Sequence, residues 1–252
     1  MINKLGFMQG RLSPINDNQI QSFPYQNWEN EFDQAKKLSF NHIEWTVDQF
    51  LIDMNPLNSD AGIKKIKKIK KKTKIKIVNL TADFFMQTPF FKSNKLLSNT
   101  LEKQLIKLII NASKIGVKNF VIPLVDNGKI ENNNQKKNII AYFKNIIPVL
   151  SKYKIKIAFE IDLKPKKNME FLDKINSDLF GINFDMGNSA ALGLDPNEEI
   201  NLYKSRIFNV HIKDRKLNSV TCPLGKGNVN FKSVFENLKL NGYSQYYTLQ
   251  VA

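Results

Sequence analysis

Short β-rich segments alternate with longer helical segments from one end of this chain to the other. Eight segments have the length and residue content of strands: 4–8, 42–45, 74–80, 119–124, 156–161, 180–185, 207–212 and 246–251. Seven helical segments lie between them, near 28–38, 61–72, 96–115, 135–152, 167–176, 196–204 and 230–241. This alternation predicts parallel strands joined by crossover helices. Eight consecutive units favour a closed (β/α)₈ TIM barrel over the alternative, an open doubly wound sheet.

The 252 residues are expected to form a single domain over 1–252, because no linker or repeat divides the chain. Pro148 falls inside a predicted helix and should kink it or mark a boundary. The sequence ends at Ala252, directly after the eighth predicted strand, so the final helix of a complete barrel is missing. We therefore expect either a truncated chain or an apolar surface that a partner subunit covers, as in a homodimer.

Composition predicts a cytoplasmic protein with no membrane association. Apolar residues make up 42% of the chain, and no apolar run approaches the roughly 18 residues of a spanning helix. The first residues are too weakly apolar for a secretory signal, and a lone Cys222 offers no disulfide framework.

The formal charge of +15 raises the question of nucleic-acid binding. The densest basic run, at 64–76, surrounds a helical stripe of Ile63, Ile66 and Ile69, which is typical of a solvated helix face. Clustered basic residues with interleaved aromatic residues are missing, so no nucleic-acid partner is expected.

Metal-ligand types stand at four adjacent predicted strand ends. Glu160, Asp185, His211 and Gln250 end strands five, six, seven and eight. Because the carboxyl ends of barrel strands meet on one face, these side chains should converge there. Carboxylate, imidazole and amide ligands suit Mn²⁺, Mg²⁺, Co²⁺ or Zn²⁺. Each residue alone has a simpler explanation, such as an ion pair, a core histidine or a hydrogen-bonding amide.

This ligand order resembles that of the xylose-isomerase-like TIM-barrel superfamily, and in particular its sugar phosphate isomerase/epimerase branch. The resemblance covers the whole chain. It includes GFMQGRLSP at 6–14, TADFFMQTPFF at 81–91, PLVDN at 123–127, FDMGN at 184–188, HIKDR at 211–215 and LGKGNVNF at 224–231. It implies a divalent metal cofactor and a small sugar or sugar phosphate as substrate.

The chain departs from the family's epimerases at Gln250, where they place a glutamate that is both a ligand and an acid/base. An amide can bind a metal but cannot exchange protons at neutral pH. Glu160, as the general base, can remove and return a proton on one face, which favours aldose–ketose isomerisation over two-base epimerisation. This preference holds unless Glu44 or Asp83 supplies a second acid. With two carboxylates instead of three, the metal should also be held less tightly.

Five residues are candidates for substrate binding: Arg11, Glu44, Asp83, Asn188 and Arg215. Surface ion pairing is the alternative for both arginines. The segment 224–228 could offer backbone N–H groups to a phosphate, although a flexible loop explains it equally well. Phe84, Phe85, Phe90 and Phe91 could form an apolar wall or lid, or could simply pack the loop. His42 receives no role.

The leading hypothesis is a metal-dependent sugar isomerase that acts through an enediolate. A sugar-phosphate 3-epimerase of the same fold is the first alternative. A catalytically degenerate, ligand-binding barrel is the second. The apurinic-endonuclease branch, which binds several metal ions through several histidines, is a poor match because the chain has only His42 and His211.

Overall fold

Eight parallel strands close into a barrel in the computed structural model, which describes residues 4–14 and 22–251. The order around the barrel is β1-β10-β7-β6-β5-β4-β3-β2. The barrel strands are β1 Leu5–Met8, β2 His42–Thr46, β3 Asn79–Thr81, β4 Asn119–Leu124, β5 Lys156–Ile161, β6 Phe180–Asp185, β7 Ile207–Ile212 and β10 Tyr247–Leu249. The short strands β8 Asp214–Arg215 and β9 Thr221–Cys222 form an antiparallel hairpin after β7. The predicted (β/α)₈ TIM barrel is confirmed.

The described part of the chain contains ten α-helices: α1 Asn30–Lys37, α2 Asp60–Thr73, α3 Phe84–Gln87, α4 Lys95–Ile115, α5 Asn133–Asn145, α6 Ile147–Tyr153, α7 Pro165–Ile175, α8 Met186–Ala191, α9 Pro196–Tyr203 and α10 Phe231–Leu240. Among the described residues there are also five 3₁₀ turns, at Ile52–Met54, Pro56–Asn58, Phe90–Lys92, Asp126–Gly128 and Lys204–Arg206. Helix α2 begins where Ser59 accepts a hydrogen bond from Gly62 N–H at 3.0 Å. Its Ile63 and Ile66 are buried while the lysines around them face solvent, as the sequence predicts.

Two predicted elements differ from the structure at their boundaries. The third strand is only Asn79–Thr81, and the residues before it make a single bridge from Lys76 to His42. The helix predicted over 135–152 is two helices that meet at Ile146. Pro148 lies in the first turn of α6, where a helix needs no N–H donor from it.

The aromatic segment after β3 belongs to the hydrophobic core. Phe84, Phe85, Phe90 and Phe91 are between 2% and 8% exposed. The rings of Phe84 and Phe85 are 4.8 Å apart, and Phe90 lies 4.7 Å from Tyr142. These contacts favour packing as the explanation for the four phenylalanines.

No helix follows β10 within the described residues, which end at Val251. Nor is any described helix long and apolar enough to cross a membrane.

Candidate active site

Three neighbouring strands bring a buried carboxylate, a second carboxylate and an imidazole together at the carboxyl end of the barrel. Glu160 lies on β5, Asp185 at the end of β6 and His211 on β7, and Asp185 pairs directly with His211 in register. One ligand atom from each lies within 4.8 Å of the others. Nδ1 of His211 is 3.5 Å from Oε2 of Glu160 and 3.9 Å from Oδ2 of Asp185. The described residues therefore hold one compact set of potential metal ligands.

The two nitrogen atoms of His211 face different groups. Nε2 lies 2.8 Å from Oε1 of Glu44, so the imidazole can donate its N–H to that carboxylate. In the neutral tautomer with its proton on Nε2, Nδ1 carries a lone pair directed toward Glu160 and Asp185, with the amide of Asn183 3.0 Å away. A carboxylate behind a ligating histidine fixes its tautomer and orientation and raises its basicity.

Glu44 is fully buried beneath His211 and does not line the cleft. Its carboxylate also accepts hydrogen bonds from three further side chains: Thr81 at 2.5 Å, Thr248 at 2.7 Å and Asn209 at 3.0 Å. Burial raises the pKa of Glu44, but the charge and hydrogen bonds of His211 and these donors outweigh burial and lower it to about 2. Its geometry suits orienting His211, whereas a direct substrate contact is not available to it.

Buried asparagines connect this carboxylate with Glu160 through the barrel interior. Asn209 donates to Oδ1 of Asn183 at 2.9 Å, and Asn183 donates to Oε2 of Glu160 at 2.7 Å. Farther down, Asn119 donates to Asn79, and Asn79 donates to Asn209, at 3.0 and 2.7 Å. Because buried amides are costly unless they are paired, this chain of hydrogen bonds fixes the polar side chains inside the barrel.

The charges of the three central groups influence one another strongly. Burial disfavours the imidazolium, but Glu44 and Glu160 raise the pKa of His211 to about 10. The pKa of Glu160 is lowered, because contact with His211 and Lys213 outweighs burial. The pKa of Asp185 is raised by burial and by Glu160, against the opposing effect of Lys213.

The donor set fits a divalent cation. Oδ2 of Asp185 is buried and accepts no hydrogen bond from the described residues, and its nearest cation is the ammonium of Lys213 at 3.6 Å. Two carboxylates and a neutral imidazole nitrogen are ligands that Mn²⁺, Zn²⁺ and similar ions accept. A cation between these groups would compensate the buried negative charges.

Gln250 follows β10 and is 5% exposed. Its backbone N–H donates to the carbonyl of Ile212 at 2.9 Å, which fixes it beside β7. It lines the same cleft as Glu160.

Asn188, Arg215 and Asp83 also line this cleft. Nδ2 of Asn188 donates to Oε1 of Glu160 at 2.5 Å, and Nη1 of Arg215 donates to Oδ1 of Asn188 at 2.7 Å. Arg11 is not among the cleft-lining residues, but Asp83 and Glu31 lie close enough to influence its pKa, which burial lowers. The structure thus brings Asn188, Arg215 and Asp83 to the cleft, whereas Glu44 and Arg11 do not line it.

Three charged cleft residues were missed by the sequence analysis. Nζ of Lys213 lies 3.6 Å from Oδ2 of Asp185 and 3.4 Å from Oδ1 of Asn188. Asp126 and Asp162 also line the cleft. Burial, together with Glu160 and Asp126, raises the pKa of Asp162 to about 6. Lys213 and Asp162 each lie two residues beyond a predicted ligand in the sequence, and that spacing was the available signal.

One interpretation of the sequence was that backbone N–H groups of segment 224–228 bind a phosphate. In the structure the N–H groups of its two glycines donate to a protein carboxylate instead. The N–H groups of Gly225 and Gly227 donate to Oδ2 of Asp214 at 2.8 and 2.9 Å. Val229 N–H donates to the other oxygen of that carboxylate at 3.2 Å. Asp214 is fully buried, so a protein carboxylate already occupies the place that a phosphate would take.

The chain resembles several sugar epimerases. It is 23% identical to the L-ribulose-5-phosphate 3-epimerase UlaE of Escherichia coli strain K12, an alignment that covers 89% of this chain and 82% of that protein. Among solved structures, D-allulose 3-epimerase from Methylomonas sp. superposes with a TM-score of 0.77 and 15% identity, over 98% of this chain and 83% of that one. The IOLI protein with a bound zinc atom superposes with a TM-score of 0.76 and 19% identity, over 98% and 88%.

The sequence predicted an enzyme of the isomerase or epimerase class. The names of these relatives support that prediction. The xylose isomerase-like TIM barrel model matches residues 32–252. The chain belongs to the xylose isomerase-like TIM barrel family.

Proposed function

We propose that this protein is a metal-dependent isomerase or epimerase. It removes a proton from the carbon next to the carbonyl group of a sugar and returns a proton to the resulting enediolate. The observation that carries the proposal is the cluster of Glu160, Asp185 and His211, with Glu44 holding the far side of the imidazole. The family and the names of its epimerase relatives agree with this chemistry. Gln250 is the fourth proposed ligand, from its place in the cleft.

Glu160 is the proposed general base. Its two oxygens accept hydrogen bonds from Asn183 and Asn188, which hold the carboxylate in one orientation at the cleft. Because its pKa is lowered, the carboxylate is ionised at neutral pH and can accept a proton. When bound, a divalent cation supplies Lewis-acid stabilisation of negative charge on the substrate oxygens. Asn188 and Arg215 are positioned to orient hydroxyl groups beside the base, and Asp83 lines the same cleft.

The second proton transfer separates the two candidate reactions. An isomerase can return the proton from Glu160 to a neighbouring carbon on the same face, and Gln250, an amide, cannot serve as a second acid. Glu44 is enclosed beneath His211 and cannot serve either. Asp83 and Asp162 line the cleft, however, and a carboxyl group on the other face of the substrate would permit 3-epimerisation. That observation, with the names of the relatives, supports the epimerase as the second candidate.

The experiment is proton exchange in D₂O, followed by NMR, with a panel of ketoses and their phosphate esters and added Mn²⁺. Conversion to an aldose with deuterium at C2 identifies the isomerase, whereas inversion with deuterium at C3 identifies the epimerase. Glu160→Gln should abolish both exchange and conversion. Glu236→Gln, an exposed glutamate on α10, is the matched control and should retain them. A wild-type protein that binds metal but exchanges no proton of any tested sugar would contradict the proposal and favour the ligand-binding barrel.

A further inference from the structure

Charged side chains form much of the wall of the cleft above the Glu160 cluster. Four of them are carboxylates and two are cations: Asp83, Asp126, Glu160, Asp162, Lys213 and Arg215. The buried carboxylate of Asp185 is not part of this lining but lies 3.6 Å from Lys213, and so adds another negative charge beside the wall. Even after a bound dication is counted with the two basic side chains, negative charges exceed positive ones. A dianionic phosphate group would add like charge to this wall.

Both cations of the wall are already held by protein acceptors. The ammonium of Lys213 lies between Asp185 and Asn188. All three guanidinium nitrogens of Arg215 donate to protein oxygens: Nε and Nη2 to the carbonyl of Ser219 at 2.9 and 2.7 Å, and Nη1 to Asn188 at 2.7 Å. Arginine binds phosphate best through two parallel donors, and the Nε–Nη2 pair is already used by its own hairpin, which leaves one N–H on each of Nη1 and Nη2.

Other nearby donors lie outside the cleft wall or are bound within the protein, and Arg11, whose pKa Asp83 influences, does not line the cleft. The amides of Gly225, Gly227 and Val229 donate to Asp214. Lys129 lies close enough to influence the pKa of Asp162, but it is an exposed side chain outside the cleft wall. The stretches 1–3, 15–21 and 252, which the structure does not describe, contain no lysine or arginine in the sequence.

The same carboxylates are well suited to hydroxyl groups. A carboxylate accepts hydrogen bonds from two neighbouring hydroxyls, and a polyhydroxy chain can satisfy several such acceptors without bringing charge. Asp126 stands at the rim with its backbone in the left-handed region, at φ 48°, which costs energy for a residue other than glycine. Its 3₁₀ turn places it beside Asp162, Glu160 and Asn188 in the cleft wall.

From this charge distribution we infer that the substrate is an uncharged ketose or aldose rather than a sugar phosphate. The inference rests on the proposed function, because it names the substrate class of that same cleft. It distinguishes between two kinds of substrate with the same reacting atoms, so it can be wrong while the proposed chemistry is right.

The test compares matched sugars that differ only in the phosphate, namely L-ribulose with L-ribulose 5-phosphate and D-allulose with D-allulose 6-phosphate. Wild-type protein with Mn²⁺ should exchange the carbon-bound proton of a free sugar with a kcat/KM at least about tenfold above that of its phosphate ester. Inorganic phosphate should not compete with the sugar. A higher kcat/KM for the phosphate ester, or competition by millimolar phosphate, would overturn the inference while leaving the proposed function intact. If neither member of any pair binds or exchanges, the proposed function fails and the inference fails with it.

Charge variants test the cause. The double variant Asp126→Asn, Asp162→Asn removes two negative charges from the wall. Its ratio of kcat/KM for the free sugar to kcat/KM for the phosphate ester should be about tenfold lower than that of the wild type. Asp126→Asn alone, at an exposed residue, gives a second measurement if the double variant does not fold. Asp178→Asn, an exposed carboxylate outside the cleft, should leave the ratio unchanged. A ratio that does not move in any cleft variant would contradict an electrostatic cause.

Discussion

Oε1 of Glu44 lies 2.8 Å from Nε2 of His211, and both side chains are fully buried. This pair joins the second strand of the barrel to the seventh and directs the other imidazole nitrogen toward Glu160 and Asp185. The candidate metal centre therefore depends on a carboxylate that never reaches the cleft.

Glu44→Gln should weaken Mn²⁺ binding by roughly 10- to 100-fold, because the amide no longer holds the imidazole as a charged acceptor does. Calorimetric titration of metal-free protein with Mn²⁺ measures the change. Glu199→Gln alters another buried carboxylate, outside the Glu160 cluster, and should leave the affinity within about twofold. Equal Mn²⁺ affinity in a folded Glu44→Gln variant would contradict the positioning role.

Gln250→Glu should bind Mn²⁺ more tightly, by at least about tenfold, because ligand charge is a main determinant of affinity for hard cations. The reason is the added carboxylate beside Glu160 in the cleft. Gln245→Glu makes the same charge change at an exposed site outside the Glu160 cleft and serves as the control. Titration of the three proteins under one ionic strength decides the matter, and equal gains in both variants would remove Gln250 from the ligand set.

Lys213→Met should lower kcat by roughly 100-fold, while KM changes little, because its ammonium lines the cleft beside Asp185 and a fixed positive charge there would stabilise negative charge that develops on the substrate in the transition state. Steady-state kinetics and metal content are measured together, since the ammonium also neighbours Asp185. Lys213→Arg should restore part of the activity. Lys216→Met, an exposed lysine in the adjacent hairpin loop, should behave as wild type. A large fall in metal content with normal turnover per bound metal would contradict this role.

The free energy of unfolding should fall as pH rises, because the buried carboxyl group of Glu199 loses its proton. Burial raises its pKa to about 7, against the hydrogen bonds of Ser189 and Tyr203. The folded state therefore keeps this proton between about pH 4.5 and 7 whereas the unfolded chain releases it, so the contribution of Glu199 to stability is full below that range and declines through it. The full effect is on the order of 3 kcal/mol.

Urea unfolding at pH 5 and pH 8, with EDTA present, measures this contribution. Glu199→Gln cannot titrate, so its free energy of unfolding should fall less between the two pH values than that of the wild type. Asp173→Asn, at an exposed residue, is the control and should follow the wild-type curve. Parallel pH profiles for wild type and Glu199→Gln would show that the carboxyl group is ionised in the folded protein throughout.

Asp214→Ala should release the segment after β9, because the carboxylate holds three of its backbone N–H groups. Trypsin should then cut after Lys226 faster than in the wild type, as mass spectrometry of timed digests would show. Gly227→Ala should have the same effect, since a Cβ at that residue would overlap the Asp214 carboxylate. Asp173→Ala should not. Unchanged cleavage at Lys226 in both loop variants would mean that other contacts hold the segment.

The alternation of strand and helix patterns predicted the barrel correctly, because both periodicities are local properties of the chain. The positions of Glu160, Asp185, His211 and Gln250 at strand ends followed from the same pattern, since parallel strands of a barrel end on one face. Pro148 also indicated a kink or boundary in the helix predicted over 135–152. The hydrophobic pattern alone did not show that this segment forms two helices, which meet at Ile146.

The relationships across the barrel were decided only by the tertiary structure. Glu44 and His211 are 167 residues apart in sequence, and the sequence shows that Glu44 ends a strand but not how deep its side chain lies. The same holds for Asp214: the sequence allowed either a phosphate-binding or a flexible segment at 224–228, and only the structure shows that Gly225 and Gly227 donate to this carboxylate. Local pattern determined the elements and the face on which the site lies. Closure of the barrel determined which charges meet, because depth, side-chain orientation and electrostatic environment arise from residues that are distant in the chain.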